Sequence, residues 1–295
     1  MRRNLTFARA ILEAQTQLLK SDPRCIIIGQ GIKDENAIFK TCTRLHSRFQ
    51  GRVIESPISE NGMTGICIGA AVAGMRPIHI HQRMDFMLYA ADQIINNAAK
   101  WYSMFGGQAG NCPLVIRCII GRGWGQGNQH SQDLTKLFMD IPGLIVCVPS
   151  NAHDAKGLLI AAYRNPNPVI FVEHRWLHHT TSLVSDTLYE ISFDDKVIRE
   201  GDQKIYATGY GVIETLKAAE FLSEIGIELQ VIERHTFQNN KPYPPSTPGL
   251  IKGFYPNFLA IVKMFASERQ AAKAIDYYNS IKHHDIPNID FKGPF

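Results

Sequence analysis

Three segments of this 295-residue chain hold residue types at spacings that could do chemistry. The first, Glu55-Ser56-Pro57-Ile58-Ser59-Glu60-Asn61-Gly62, lies where a strand-like run ends and a Gly/Ala-rich helical pattern begins. In open α/β sheets that carboxyl end of a strand is where ligands bind. Glu60 has two readings there: a first-turn acid favoured by the helix dipole behind a Ser59 cap, or a carboxylate at a ligand site. The second segment runs from Gly121 to Gln132, with glycines at 121, 123, 125 and 127 and then Asn128-Gln129-His130-Ser131. Such a loop is mobile or pressed against a ligand, and a His130 beside a helix N-terminus would be held neutral, fit for hydrogen bonding or proton transfer. The third, Thr208-Gly209-Tyr210-Gly211, turns into a helix whose free N–H groups could hold an anion. Both glycine loops lack the third glycine of the dinucleotide fingerprint, so nicotinamide binding is disfavoured.

The elements that must position these residues follow from the pattern of apolar runs. An amphipathic helix (Ala8, Ile11, Leu12, Gln15, Leu18, Leu19) precedes a strand over Cys25 to Gly29. Strand-like runs recur at Val53-Ile54, Pro77 to Ile80, Leu114 to Ile119, Leu144 to Val148 and Val169 to Val172. Helical stretches separate them at Glu60 to Ala73, Phe86 to Met104, Gln129 to Asp140 and Asn151 to Arg164. This alternation predicts an α/β fold, a mostly parallel sheet with helices on both faces. The expected organisation is a first domain over 1–177, a surface connection over 178–200 and a smaller, divergent α/β domain over 201–295. In the last, strands at Lys204 to Thr208 and Ile227 to Ile232 flank a helix at Val212 to Glu224. A Pro-rich stretch, Lys241 to Gly249, is followed by a strand at Phe258 to Val262 and a helix at Ala266 to Ile281.

Composition removes several function classes. The net charge of +4 arises from 31 basic and 27 acidic residues mixed along the chain, which gives no footprint for nucleic acid. The best apolar stretch, Ile66 to Met75, is too short to span a bilayer, so a cytoplasmic, membrane-free protein is expected. The six cysteines (Cys25, Cys42, Cys67, Cys112, Cys118, Cys147) form no Cys-x-x-Cys pair and read as reduced core residues.

Taken together the segments resemble a family. Pro57-Ile58-Ser59-Glu60-x-Gly62, Gly69-Ala70-Ala71-x-Ala73-Gly74-x-Arg76-Pro77, Asp92-Gln93-Ile94-Ile95-Asn96-x-Ala98-Ala99-Lys100, Gln129-His130-Ser131-Gln132, Pro142-Gly143-Leu144 and Asp154-Ala155-Lys156-Gly157-Leu158 occur in that order. They look like the β chain of 2-oxo acid dehydrogenase E1 components, the pyruvate, branched-chain and acetoin enzymes. The resemblance implies thiamine diphosphate as cofactor. A carboxylate at the place of Glu60 hydrogen-bonds N1′ of the aminopyrimidine and favours the imino tautomer that removes the C2 proton; the ylid then attacks a substrate carbonyl. It implies a largely apolar pocket that raises this carboxylate's proton affinity. It makes His130 the active-site histidine on the substrate side, and places Ile58, Gln82, Met84, Phe86 and Tyr89 with Glu60 around the cofactor. Carbonyls of Leu114, Ala162, Asn165 and Asn167 would encircle a structural potassium ion.

The chain contains no Gly-Asp-Gly, the segment with which thiamine enzymes hold Mg2+ and the diphosphate. The resemblance therefore implies an α-type partner that carries it, in an α2β2 assembly, with the small-residue helix after Glu60 at an interface. Met84 stands where many relatives place an aromatic ring, and His81, Gln82, Arg83 and Asp85 make its surroundings polar, which points to a different substrate. His235-Thr236-Phe237-Gln238 departs from the family's continuation, so docking of a lipoyl-domain protein is open. The reading is a β subunit that transfers an acyl or ketol unit from a 2-oxo acid or ketol. The alternatives are a carboligase using a sugar or other carbonyl acceptor without a lipoyl protein, and a non-catalytic regulatory subunit.

Overall fold

The structure, a computed structural model, describes residues 1–238, 258–267, 270–271, 273–274 and 277. In chain order they form β1 (Arg2–Thr6), α1 (Phe7–Ser21), β2 (Cys25–Gly29), α2 (Leu45–Arg48), β3 (Val53–Glu55), α3 (Glu60–Val72), β4 (Arg76–His81), α4 (Met84–Met87), α5 (Trp101–Met104) and β5 (Val115–Ile120). There follow α6 (Thr135–Met139), β6 (Ile145–Cys147), α7 (Ala152–Arg164), β7 (Val169–His174), β8 (Thr181–Ser185), β9 (Lys196–Arg199), β10 (Gln203–Ala207), α8 (Tyr210–Glu224), β11 (Leu229–Glu233), β12 (Thr236–Gln238) and α9 (Phe258–Phe265). Local chemistry sets the boundaries. Thr6 caps α1 by accepting the Arg9 N–H at 3.3 Å, and Asn151 caps α7 by accepting that of Asp154 at 2.9 Å. Phe7, Ala10, Ile11, Ala14 and Leu18 recur at helical steps and are all buried, the apolar stripe of a covering helix.

Seven strands form one sheet in the order β12-β6-β7-β5-β4-β2-β3. Those from β2 to β7 run parallel, and only β12 is antiparallel, beside β6. β2 and β5 are buried at every position, as a sheet covered on both faces requires. The expected α/β architecture is therefore the observed one. A smaller sheet, β10-β11-β9, pairs β10 and β11 in parallel and carries α8.

Several local expectations are corrected. Phe258 to Val262 is the start of a helix, since Phe258, Ile261 and Val262 are buried at the three- and four-residue steps of α9, a spacing that a five-residue apolar run conceals. The helix read over Phe86 to Met104 is broken into α4, a 3-10 turn at Leu88–Ala90, a π turn at Gln93–Ala98 and α5. Asp92, Asn96 and Asn97 are weak helix formers, and Asn96 Nδ2 donates to Asp92 at 2.7 Å across the widened turn. The stretch Gln129 to Asp140 splits into a 3-10 turn (Asn128–His130) and α6, which restarts where Asp133 accepts the Thr135 N–H at 2.9 Å. The Pro-rich stretch, and most of the helix read over 266–281, lie outside the described residues.

The described chain divides into two compact units: Met1–Gly121, Gln126–Phe193 and β12, and Arg122–Gly125, Asp194–His235 and the residues from 258 onward. The segment read as a connection, 178–200, holds strands. β8 pairs antiparallel with β1, and β9 joins the smaller sheet. The fully buried Lys156 draws β8 in, donating to Glu13 and to the Ser185 and Thr187 carbonyls at 2.7–2.8 Å. Gly143 in Pro142-Gly143-Leu144 has φ +92°, and a Cβ there would stand 1.9 Å from the Ala99 carbonyl oxygen, so only glycine fits. All six cysteines are buried thiols.

At the centre of the sheet Arg117 is wholly buried. Its Nε donates to Glu173 at 2.6 Å and its other nitrogens to Gln15 Oε1 at 2.7 Å and Thr41 Oγ1 at 3.0 Å, which joins β5, β7, α1 and the loop after β2. Burial alone would lift the Glu173 carboxyl, but the Arg117 guanidinium and His178 outweigh it and hold Glu173 below the usual carboxylate range. A depressed folded pKa contributes stability above the unfolded carboxylate value, and that stability is lost as pH falls through the folded one. Removing one partner of a buried pair costs about 3–5 kcal/mol. Glu173→Gln should therefore melt about 10 °C below wild type near neutrality, with the gap closing in acid; equal melting at pH 7 would contradict this.

Candidate functional site

Because β3, β2, β4 and β5 are neighbours and parallel, their carboxyl ends share one edge. The chain places β3 on one side of β2 and β4 on the other, so β2 and β4 flank a switch point, where such sheets bind ligands. Gln30 follows β2. Glu60 opens α3 after β3, His81 ends β4 with Gln82, Arg83 and Phe86 just beyond, and Gln126 and His130 sit on the glycine loop after β5. These eight residues line one pocket of about 170 Å3.

Two ties fix its floor. Glu55 accepts the N–H groups of Gly31 at 2.6 Å and Lys33 at 2.9 Å, and Gln82 Nε2 donates to the Gln30 carbonyl at 2.8 Å. Glu60 is half-buried, and its Oε1 accepts from Gln30 Nε2 at 3.3 Å. Ser59 occupies the N-cap position of α3 but its hydroxyl makes no capping bond. Arg83 donates to the Gln82 carbonyl and to Gln126 Oε1, both at 2.9 Å. Burial, and then the charge of Arg175, push this guanidinium down to about 10.

His79 and His81 point to one face of β4, as residues two apart on a strand do, with ring centroids 4.4 Å apart. Burial pulls His79 down to about 4, and burial together with His79 holds His81 well below the ordinary histidine value, so both are neutral at pH 7. His79 Nδ1 lies 3.2 Å from the Ile28 carbonyl and must carry the proton, and His81 Nε2 lies 3.4 Å from Thr64 Oγ1. His130 meets the Phe86 ring edge-on at 5.1 Å, and its buried Nδ1 has no hydrogen-bond partner among the described residues. A buried polar atom without a partner marks a ligand or functional group still to be met. Asp85 holds this loop, accepting from Gln132 N at 3.3 Å and Nε2 at 2.8 Å.

The structure thus brings Glu60, Gln82, Phe86 and His130 together and leaves out three other expected residues. Met84 is fully buried with its sulfur accepting the Leu134 N–H at 3.2 Å, and Phe86 supplies the pocket's aromatic ring. Ile58 and Tyr89 are 84% and 69% exposed and do not line the pocket. Among the described residues Phe86 is the only apolar one in the lining, so the pocket expected to be apolar is lined mostly by polar side chains. His130 closes a single 3-10 turn instead of opening a helix, so the dipole argument for its neutrality does not apply. Gln30, His81, Arg83 and Gln126 join the site unforeseen as a group; the signal for Gln30 was its place one residue beyond a fully buried strand. At Thr208-Gly209-Tyr210-Gly211 the Gly211 and Val212 N–H groups are already spent on the Thr208 and Gly209 carbonyls. The Leu114 carbonyl accepts from Val169, that of Ala162 from Asn165, and the Asn165 side chain from the Asn167 N–H. Among the described residues no group of three or more His, Cys, Asp or Glu could hold a metal, and no helix is long and apolar enough to cross a membrane.

Residues 3–179 match the family described as transketolase, pyrimidine binding domain. The chain is 40% identical to the acetoin:2,6-dichlorophenolindophenol oxidoreductase subunit beta of Cupriavidus necator, across 80% of this chain and 73% of that one. It is 35% identical to the mitochondrial pyruvate dehydrogenase E1 component subunit beta of Saccharomyces cerevisiae, across 85% of this chain and 69% of that one. A solved structure titled "Split gene transketolase, inactive beta4 tetramer" shares the fold, with a TM-score of 0.63 and 19% identity over 78% of this chain and 71% of that chain.

A histidine held neutral by burial binds fewer protons folded than unfolded, so its stabilising effect is complete above the unfolded value and is lost as pH falls through the folded one. The melting temperature should drop from pH 6.5 toward pH 4, and His79→Leu should flatten that slope; an unaltered slope would count against a buried neutral His79. Asp85→Ala removes hydrogen bonds to a charged acceptor worth about 1.5–3 kcal/mol. Amide exchange across residues 127–134 should then speed up about tenfold or more, and unchanged protection would show that Asp85 does not hold the His130 loop.

Proposed function

Because the chain belongs to the transketolase pyrimidine-binding family, we propose that it is the β-type subunit of a heteromeric, thiamine-diphosphate-dependent enzyme acting on a 2-oxo acid or ketol. The observation that carries this is one pocket, at the carboxyl ends of four parallel strands, that joins the Glu60 carboxylate, the Phe86 ring and the unpartnered Nδ1 of His130. When bound, thiamine diphosphate would supply a nucleophilic carbon for the substrate carbonyl and, in its cationic thiazolium ring, a sink for the electron pair released there.

The chain's own residues do the rest. Glu60, steadied by Gln30, accepts a hydrogen bond from the protonated ring nitrogen of the aminopyrimidine and so holds that proton in place. Phe86 gives the heterocycle its apolar face. His130, braced against Phe86, offers Nδ1 to the substrate oxygen that gains or loses a proton. His81, neutral and lining the same pocket, orients polar substrate groups without adding charge. Arg83 and Gln126 tie the glycine loop to β4, which limits water in the pocket.

An α-type chain bearing Gly-Asp-Gly supplies Mg2+ and the diphosphate contacts, in an α2β2 assembly. The docking face is the small-residue side of α3, where Ile66 is 57% exposed and a Cβ at Gly69 would meet nothing within 4 Å. A lipoyl-domain protein is the acceptor and the cytoplasm the compartment. The potassium ion fits less well, because Arg76 already donates to the carbonyls of Tyr163 and Asn165 and brings a positive charge that opposes a second cation; no step here depends on it.

Calorimetric titration of thiamine diphosphate with Mg2+ into the chain, alone and with its α-type partner, tests the reading. Tight binding in the pair only, with turnover of 2-oxo acids reduced at least about a hundredfold in Glu60→Gln, is the expected result. Equal binding with and without the partner, or full turnover in Glu60→Gln, would overturn it.

A further inference from the structure

β4 is buried along nearly its whole length, and strands of that kind are ordinarily continuous apolar runs. Two imidazoles interrupt this one. His79 and His81 are 2% and 4% exposed, and burying a polar ring costs free energy unless its nitrogens are bonded.

The nitrogens are not served alike. His79 Nδ1 donates to the Ile28 carbonyl at 3.2 Å, which fixes that ring, and the two rings meet edge to face with centroids 4.4 Å apart. His81 Nε2 lies 3.4 Å from Thr64 Oγ1 on α3, one turn beyond Glu60. The His81 ring is therefore held from two sides. Its Nδ1 is left without a partner among the described residues, on a side chain that lines the Glu60 pocket.

The surroundings narrow what this nitrogen can meet. A further anionic group is disfavoured, because Glu60 shares the pocket, His81 is neutral, and Arg83 is engaged with the Gln82 carbonyl and Gln126 Oε1. An alkyl group fares no better. Seven of the eight lining side chains are polar, and an alkyl group would shut water out while leaving Nδ1 of both His81 and His130 unbonded. A neutral hydroxyl fits: it donates and accepts, so it pairs with an imidazole nitrogen in either tautomer.

We infer that His81 is a specificity-determining residue whose Nδ1 reads a hydroxyl on the substrate side chain, so that the chain serves a hydroxylated 2-oxo acid ahead of alkyl ones. This rests on the thiamine-dependent reading and names its substrate class. His79 acts through His81, as a positioning residue.

The test compares hydroxypyruvate with 2-oxobutyrate, which carries a methyl where the first has its hydroxyl, in the complex of the full chain with its α-type partner, thiamine diphosphate and Mg2+. Wild type should favour hydroxypyruvate in kcat/KM by about tenfold or more, since a site built around a hydroxyl rejects the analogue that lacks it. His81→Phe should erase that preference through KM. His81→Asn, whose amide reaches the place of Nδ1, should keep most of it, and calorimetry should give all three forms the same affinity for thiamine diphosphate. Equal or better use of 2-oxobutyrate by wild type, or a preference that His81→Phe leaves intact, would overturn the inference alone. So would a weakened cofactor affinity in His81→Phe, which would assign the ring to the cofactor. No binding of thiamine diphosphate by the wild-type complex would overturn the underlying reading and the inference with it.

Discussion

The parallel run of β5, β4, β2 and β3 is the constraint on which the rest depends. A parallel sheet sends every carboxyl end to one edge, so residues 30, 60, 81 and 130 meet although a hundred positions separate the first from the last. Arg117 keeps those strands in place from the inside. A full charge at the centre of a sheet is tolerable only when paired and hydrogen-bonded, and Glu173, Gln15 and Thr41 provide this. The same contacts carry order outward to the loop after β2, where Ala37 to Lys40 have φ between +36° and +69° and Thr41 Oγ1 donates to the Ile38 carbonyl at 2.7 Å.

Chemistry at the edge follows from unequal surroundings. Glu60 sits half-buried beside an amide donor, while His79 and His81 are stripped of water and stay neutral. A carboxylate side chain and an uncharged imidazole thus lie in one small pocket, two groups whose surroundings differ. The ring of Phe86 serves two purposes there, as an apolar face in a polar lining and as a brace for His130.

Much of this was legible in the sequence because buried parallel strands are continuous apolar runs and their turns are punctuated by glycine. Glu60 and His130 were singled out from their places at strand ends and within motifs, and the structure brings both to the lining of one pocket. Met84 falls outside the pocket lining because motif spacing gives a position but not a direction: two residues apart on a short helix, Met84 turns into the core and Phe86 into the pocket. The polarity of the lining was half visible in His81-Gln82-Arg83, yet Gln30 and Gln126 come from distant loops that only the sheet order brings in. The Phe258 strand failed for a different reason, since a short apolar run has no period of its own. Residues 181–185 read as linker because their partner, β1, lies at the far end of the chain.

The central claim is that Glu60 and its neighbours form one half of a cofactor site that a second chain completes. A crystal structure of this chain with its α-type partner, thiamine diphosphate and Mg2+ tests it most directly. The account predicts the aminopyrimidine in the pocket, its ring nitrogen within hydrogen-bond distance of the Glu60 carboxylate and the Phe86 ring against it, with the diphosphate held by the partner. A cofactor bound wholly within the partner, with Glu60 facing only Gln30, would contradict it.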